Sequence, residues 1–372
     1  MSDRLERTDV WEQVFPLRSG GRLEVDQDVG RVDVTSWDRD EARVRGTKRA
    51  QGLSEDEARR RLDRLTLRAH LHGSRLEVDA GAPRGLFGSA TGTRVDLEIT
   101  VPRSTRVKID TASGGVSVER VEGFVEVDVA SGDVALSWVG PGVHVDTGSG
   151  NVVVEDAGGP VVVDTGSGRV EIIGVDGEVH VDTGSGPVQA AAVRGDIEID
   201  TGTGDVHLSR VEARQIHVDT GRGVITADFD PRLDGRYKFD TASGRIEVTV
   251  PAGAGAELDL ETNAGRAECD LPLLNRFAER GLLRGVLGRS SCRIICRSGL
   301  GDIMVKPGFA PAPAEPLTDS RAWAAEPAVP SAPATRAADE DIAKILKMVE
   351  EKRLTPEAAE ELLRALEEEE PE

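Results

Sequence analysis

Aromatic side chains make up only 3% of the 372 residues, with a single tyrosine. Any core must therefore be aliphatic, which fits aromatic-rich enzymes and aromatic sugar platforms poorly. Cysteine occurs three times, at Cys269, Cys292 and Cys296. An odd, low count implies no disulfide framework. Positive charge is in short supply: 46 Lys and Arg stand against 67 Asp and Glu, a formal net charge of −21. That balance excludes a general nucleic-acid binder, whose surface must neutralise phosphates. No apolar run approaches the roughly 18 residues of a spanning helix. The opening Met1-Ser-Asp-Arg-Leu-Glu-Arg-Thr8 is charged and shows no apolar signal stretch. The expected location is the cytoplasm, with an envelope-associated one as the alternative.

Glycine, by contrast, is abundant at 42 residues, and much of it is periodic. A five-residue signature recurs from Asp110-Thr-Ala-Ser-Gly114 through Asp128, Asp146, Asp164, Asp182, Asp200 and Asp219 to Asp240-Thr-Ala-Ser-Gly244. A degenerate copy follows at Glu261-Thr-Asn-Ala-Gly265, and a weak precursor precedes at Asp26-Gln-Asp-Val-Gly30. The Asp-to-Asp spacing is 18 five times, then 19, then 21. In each unit an alternating stretch such as Val143-His-Val145 precedes the Asp, and another such as Asn151-Val-Val-Val154 follows the Gly. Alternation means two short strands, each with one buried face. The signature itself reads as turn chemistry, with each Asp expected to accept backbone N–H bonds in its own turn. A second turn is expected at Val121-Glu-Gly123, Val175-Asp-Gly177 and Val193-Arg-Gly195. Such a unit buries its apolar face only against copies of itself. The expected fold is mainly β: a single β-solenoid, a β-helix-like stack of 18-residue two-strand coils, with a capping helix and a small C-terminal α-hairpin.

The expected organisation runs as follows. Residues 1–9 form an N-terminal tail, and residues 10–306 form the solenoid, with regular repeats over 107–266. Ser54-Glu-Asp-Glu57 reads as a capping box opening a helix, with Ala58, Leu62 and Leu65 on one face. That helix is expected to cover the first coil, because end strands need protection. Leu273 to Leu287 interrupts the repeats and is apolar and locally basic (Arg276, Arg280, Arg284, with Arg289 beyond). A lid over the C-terminal end is the favoured reading; peripheral contact between 273–289 and an anionic membrane is the weaker one. Cys292 to Lys306 reads as the final coil. Residues 307–338, rich in Pro and Ala, form a linker. Residues 339–369 then form a helical hairpin. Ile342, Ile345, Leu346 and Val349 make one stripe, and Ala359, Leu362, Leu363 and Leu366 make the other, after the helix start Thr355-Pro356. Two helices of that length bury little by themselves, so the hairpin is expected to self-associate or dock on a protein partner.

These residues resemble the bacterial putative-adhesin family, a domain of unknown function built on repeated Asp-Thr-x-Ser-Gly turns. The resemblance covers most of residues 10–307, including Gly21-Arg-Leu-Glu-Val25, Thr35-Ser-Trp-Asp38 and Leu97-Glu-Ile-Thr-Val-Pro102. The C-terminal hairpin is similar to short SHOCT-like modules with a Leu-Thr-Pro-Glu-Glu-Ala pattern, here Leu354-Thr-Pro-Glu-Ala-Ala359. The resemblance implies a β-repeat domain paired with an interaction module, in some bacterial proteins linked to envelope stress.

No catalytic set is expected. Asp-Thr-Gly-Ser also marks pepsin-like proteases, but those pair two carboxylates across two lobes, whereas an 18-residue period stacks them in a ladder. His144, His180 and His217 share one repeat position on alternate coils, about 9.6 Å apart and too far to share a metal. Cys292 and Cys296 are expected to be buried thiols rather than zinc ligands. The expected function is a non-enzymatic bacterial scaffold without cofactor. Its partner-binding residues are expected to be Ile345, Val349, Leu362 and Leu366, with Phe277 and Leu283. The alternatives are a carbohydrate-active β-helix enzyme and a calcium-binding surface adhesin.

Overall fold

The computed structural model describes residues 5–81, 92–289 and 292–308. The chain divides into a unit spanning Met1–Pro311 and a second spanning Ala312–Glu372. The strands of the first unit form two long sheets, one of 14 strands and one of 15. Each regular coil contributes one parallel strand to each sheet. Val143–Thr147, for example, lies in the longer sheet, and Val152–Ala157 of the same coil in the shorter. This is the expected solenoid. The core is the strip between the sheets, filled by ladders such as Val125, Val143, Val161 and Val179, each at or below 2% exposure. In these coils each small core face is covered by the coils on either side, so burial requires stacking.

Glycine governs the corner that leads from the longer sheet to the shorter. Gly114, Gly132, Gly150, Gly168 and Gly186 all have φ between +134° and +144° or near +158°. A Cβ added to any of them would lie 1.7–1.9 Å from the carbonyl oxygen of its counterpart one coil earlier. The side chain that caps this corner is the residue just after the glycine. Asp133 accepts the Asn151 N–H at 2.8 Å, and Asn151 in turn accepts that of Arg169 at 3.1 Å. Asp205 and Asp302 play the same part for Val224 and Arg266.

The ends depart from the sequence reading in three ways. The strand Leu5–Phe15 takes in most of the expected tail, pairing antiparallel with Ala42–Gly52 along its full length. It forms the edge of the shorter sheet and buries only Phe15 fully, so it lacks the apolar alternation that marks an interior strand. The segment Cys292 to Lys306 is the last coil in sequence but not in space. Arg293–Leu300 inserts between Arg236–Ser243 and Ala256–Ala264, which is pushed outward. The N-terminal end mirrors this: Arg22–Val29 lies inside, between Arg106–Ser113 and Arg75–Gly81. The helix Glu55–Leu62 therefore covers no first coil. It packs on the antiparallel pair Leu5–Phe15 and Ala42–Gly52, with Ala58 buried.

The capping of that helix is as expected at Ser54, whose hydroxyl accepts the Glu57 N–H at 3.2 Å. Glu57 reaches back one residue further, accepting from the Leu53 N–H at 2.9 Å. Segment 273–289 is a β-hairpin, Leu273–Glu279 and Leu282–Leu287, that extends the longer sheet antiparallel beyond Ala256–Ala264. Antiparallel strands thus stand at the outer end of the longer sheet, where another coil would otherwise add.

Candidate binding face

The signature aspartates do not sit in turns. In Val145-Asp146-Thr147 both Val145 and Thr147 are buried, so period-2 alternation sends Asp146 to the outer face of the longer sheet. Among the described residues none of the eight repeat carboxylates accepts a backbone N–H, which corrects the expected turn role. They stand in register instead. Asp79 pairs with Asp26, Asp26 with Asp110, and the column continues through Asp128, Asp146, Asp164, Asp182, Asp200 and Asp219 to Asp240. Ten carboxylates at strand spacing make a stripe about 43 Å long. Arg68 closes one end opposite Asp79, and Arg297 closes the other beside Asp240.

The threonine of the signature faces inward, and its column Thr147, Thr165, Thr183 and Thr201 is buried. Further along, Thr241 and Thr262 donate to glycine carbonyls of adjacent coils at 3.4 and 2.8 Å. On the far side of the stripe lies a column of small residues, from Ala112 and Ala130 through Gly148, Gly166, Gly184 and Gly202. The stripe is therefore open on that flank. On its other flank runs a mixed column. Lys108 holds Glu126 at 2.6 Å, His180 lies 3.4 Å from Glu198, and Lys238 holds Asp240 at 2.6 Å.

Two carboxylates of the stripe have raised pKa values, chiefly through burial, with neighbouring charges adding to it. Burial pushes the Asp110 carboxyl up, Lys108 opposes this, and the Asp128 and Asp26 charges add to it. Asp200 is likewise pushed up by burial, opposed by His217 and reinforced by Glu198, Asp219 and Asp182. The histidines stand on alternate coils as expected, with Val162 and Glu198 between them. His217, Asp219 and Asp240 bring their donor atoms within 4.8 Å of one another. The Lys238 ammonium lies 3.1 Å from His217 Nε2 and 2.6 Å from Asp240, so the chain's own cation occupies that position.

The sequence-derived partner residues separate. Phe277 is 48% exposed on the edge strand, with Leu274 at 60%. Leu283 is 1% exposed and faces the core from the inner strand of the hairpin, so it cannot be a surface contact. Alternation along Leu282–Leu287 puts Leu283 and Leu287 inside and leaves Arg284 outside, held by Asp259 at 2.8 Å. Ile345, Val349, Leu362 and Leu366 lie outside the described residues. Cys292 and Cys296 are buried free thiols, and burial raises both, Cys292 to about 11.

A two-sheet parallel solenoid that displays one chemical column per repeat position defines a repeat-built, surface-presenting protein. The chain belongs to the Toastrack DUF4097 family, whose model matches residues 22–306. Residues 340–371 match a SHOCT-like domain. Among solved structures the chain is similar to a "putative adhesin" from Parabacteroides distasonis, 10% identical, with a TM-score of 0.36 over 81% of this chain and 97% of that one. It is similar also to a "putative adhesin" from Bacteroides fragilis, 10% identical, with a TM-score of 0.30 over 80% and 97%. A third is a "putative cell adhesion protein" from Clostridium sporogenes, 12% identical, with a TM-score of 0.22 over 81% and 100%. No curated protein matches the chain.

Proposed function

We propose that this chain is a non-enzymatic, adhesin-like scaffold whose C-terminal module self-associates or captures a protein partner, in the setting of an envelope-stress response. The observation that carries the reading is the direction of its polar groups. They recur along one axis at strand spacing, as in the column Asp79 to Asp240, whereas catalysis needs a nucleophile, base and orienting group converging on one point. A binding surface built by repetition needs only the repeat. The SHOCT-like segment 340–371 supplies the second half of the reading, through its two apolar stripes. Fully burying one leucine is worth roughly 1.5–3 kcal/mol, so a few such residues suffice to hold a pair together.

The test is the double substitution Leu362→Asp and Leu366→Asp in the full chain. Light scattering and pull-down should show loss of self-association or of partner capture, while the melting of the solenoid stays unchanged. The same oligomer and the same captured proteins after substitution would remove the interaction role from this segment.

A further inference from the structure

The N-terminal part of the longer sheet carries a feature foreign to the acidic surface around it. One position before the buried Leu23 and its equivalents, three arginines stand in register: Arg75, Arg22 and Arg106 on adjacent parallel strands. Like charges directly opposite one another are destabilising unless something lies between them. Arg75 is held by Glu24 and by Glu77 at 3.0 Å, and Arg22 reaches Glu24 at a long 3.4 Å. The Arg106 backbone N–H donates to the Gly21 carbonyl at 2.9 Å, but its guanidinium has no hydrogen-bond or ion-pair partner among the described residues. The next position in the column is Phe124, whose backbone carbonyl accepts the Val107 N–H at 2.9 Å. Its ring is 41% exposed and lies across Gly142, where an added Cβ would sit 3.0 Å from two ring carbons.

Between these groups is a cleft of about 710 Å³. Arg22, Arg106 and Lys108 supply its cations, Phe124 and Pro141 supply an apolar wall, and Ser104 supplies a hydroxyl. Lys108 is engaged by Glu126, so the guanidinium of Arg106 is the uncommitted donor. A guanidinium presents a planar fork matched to a carboxylate or phosphate, and a second one beside it gains from an anion placed between the two. Glu122 and Glu126 also line the cleft, and their charges oppose a polyanion.

We propose that this cleft binds a phosphate monoester carried on a flat, apolar-faced group, with the phosphate on Arg106 and Arg22 and the carrier against Phe124. A ring or sugar face stacking on the phenyl ring fixes orientation, while the guanidiniums fix charge. The site lies outside segment 340–371, so its failure and that of the interaction module are separable.

The experiment is calorimetric titration of the full chain with phenyl phosphate and with inorganic phosphate, beside co-sedimentation with phosphatidylcholine vesicles carrying phosphatidic acid, whose headgroup is a phosphate monoester. Phenyl phosphate should bind saturably. Arg106→Gln should weaken it at least about tenfold, the loss of one charge-assisted hydrogen bond. Phe124→Ala should weaken phenyl phosphate several-fold and leave inorganic phosphate unchanged. Both side chains are exposed, so both variants should melt like the parent protein. Vesicle binding that is lost in Arg106→Gln identifies a lipid headgroup as the source of the phosphate. Phenyl phosphate binding without vesicle binding identifies a soluble ester. Absence of both, or binding indifferent to Arg106→Gln, overturns the proposal.

Discussion

Gly168→Ala should be among the most damaging single-methyl changes available in this chain. The added carbon would lie 1.9 Å from the Gly150 carbonyl oxygen, at a φ of +141° that side chains rarely adopt. Comfortable carbon–oxygen approach begins near 3.3 Å, so the two coils must part by about 1.4 Å at that corner. The bonds from Gly150 N to Ser167 O and from Gly168 N to Ser185 O, both 3.0 Å, sit on either side of the displaced point. Losing most of two backbone bonds costs about 2 kcal/mol net, and overpacking adds about 1–3 kcal/mol, giving roughly 3–5 kcal/mol in all. The control lies two residues away. An added carbon at Gly166 would be 2.5 Å from Gly148 O, yet Ala112, Ala130 and Ala242 fill the same column in other coils. Gly166→Ala should therefore cost less than about 1 kcal/mol, since the corner accommodates a methyl there. Urea unfolding of both variants gives the comparison. Losses equal within about 0.5 kcal/mol would refute the claim that the second glycine alone sets coil spacing.

Arg120, Trp138, Asp156, Ala192 and Arg210 all adopt φ between +52° and +58° at one repeat position, and only Gly174 there is relaxed. Ala192→Gly should raise the melting temperature slightly, while Gly174→Val should lower it, by a left-handed penalty of about 1–2 kcal/mol. Asp164→Asn removes a charge between Asp146 and Asp182 and should stabilise at pH 7 in low salt, with the gain lost in 1 M salt. The pH dependence carries a definite sign. Asp110 and Asp200 have raised folded pKa values, so at these two groups the folded state binds more protons than the unfolded one, and their contribution to stability should rise as pH falls from 7 into the carboxylate range. Asp38 and Glu57 are lowered, by Arg103 and by the Leu53 N–H respectively, and their contribution is lost only as pH falls through those lower values. Melting temperatures that decline steadily from pH 7 to 5 would contradict the repulsive stripe.

The stack was legible because Asp-Thr-Gly-Ser-Gly recurs at a fixed spacing and Val alternates around it. The direction of the aspartates is legible in principle, though the signature also fits a turn. Val145-Asp146-Thr147 is already strand alternation, but a threonine beside two glycines reads as turn chemistry until its burial is seen. The swapped coil order at both ends left no local trace. Arg293–Leu300 and Ala256–Ala264 each fit beside Arg236–Ser243, and only the closing of the end decides which goes inside. The left-handed position leaves no signal in the sequence, because five of its six residues are not glycine. The cationic cleft required register, since Arg22 and Arg106 lie 84 residues apart in sequence and become neighbours only through strand pairing.

Removal of one whole coil tests the repeat account most directly. Deleting residues 161–178 should let Val143–Thr147 pair with Val179–Ser185 in the same register, because Asp146 and Asp182 then occupy adjacent rungs. The shortened chain should fold with β-rich circular dichroism and melt cooperatively close to the parent. Deleting only residues 161–169 removes one strand of the coil and sends a strand of the shorter sheet into the place of one from the longer. That variant should lose its cooperative transition. Equal melting of the two deletions would contradict a solenoid of stacked 18-residue units.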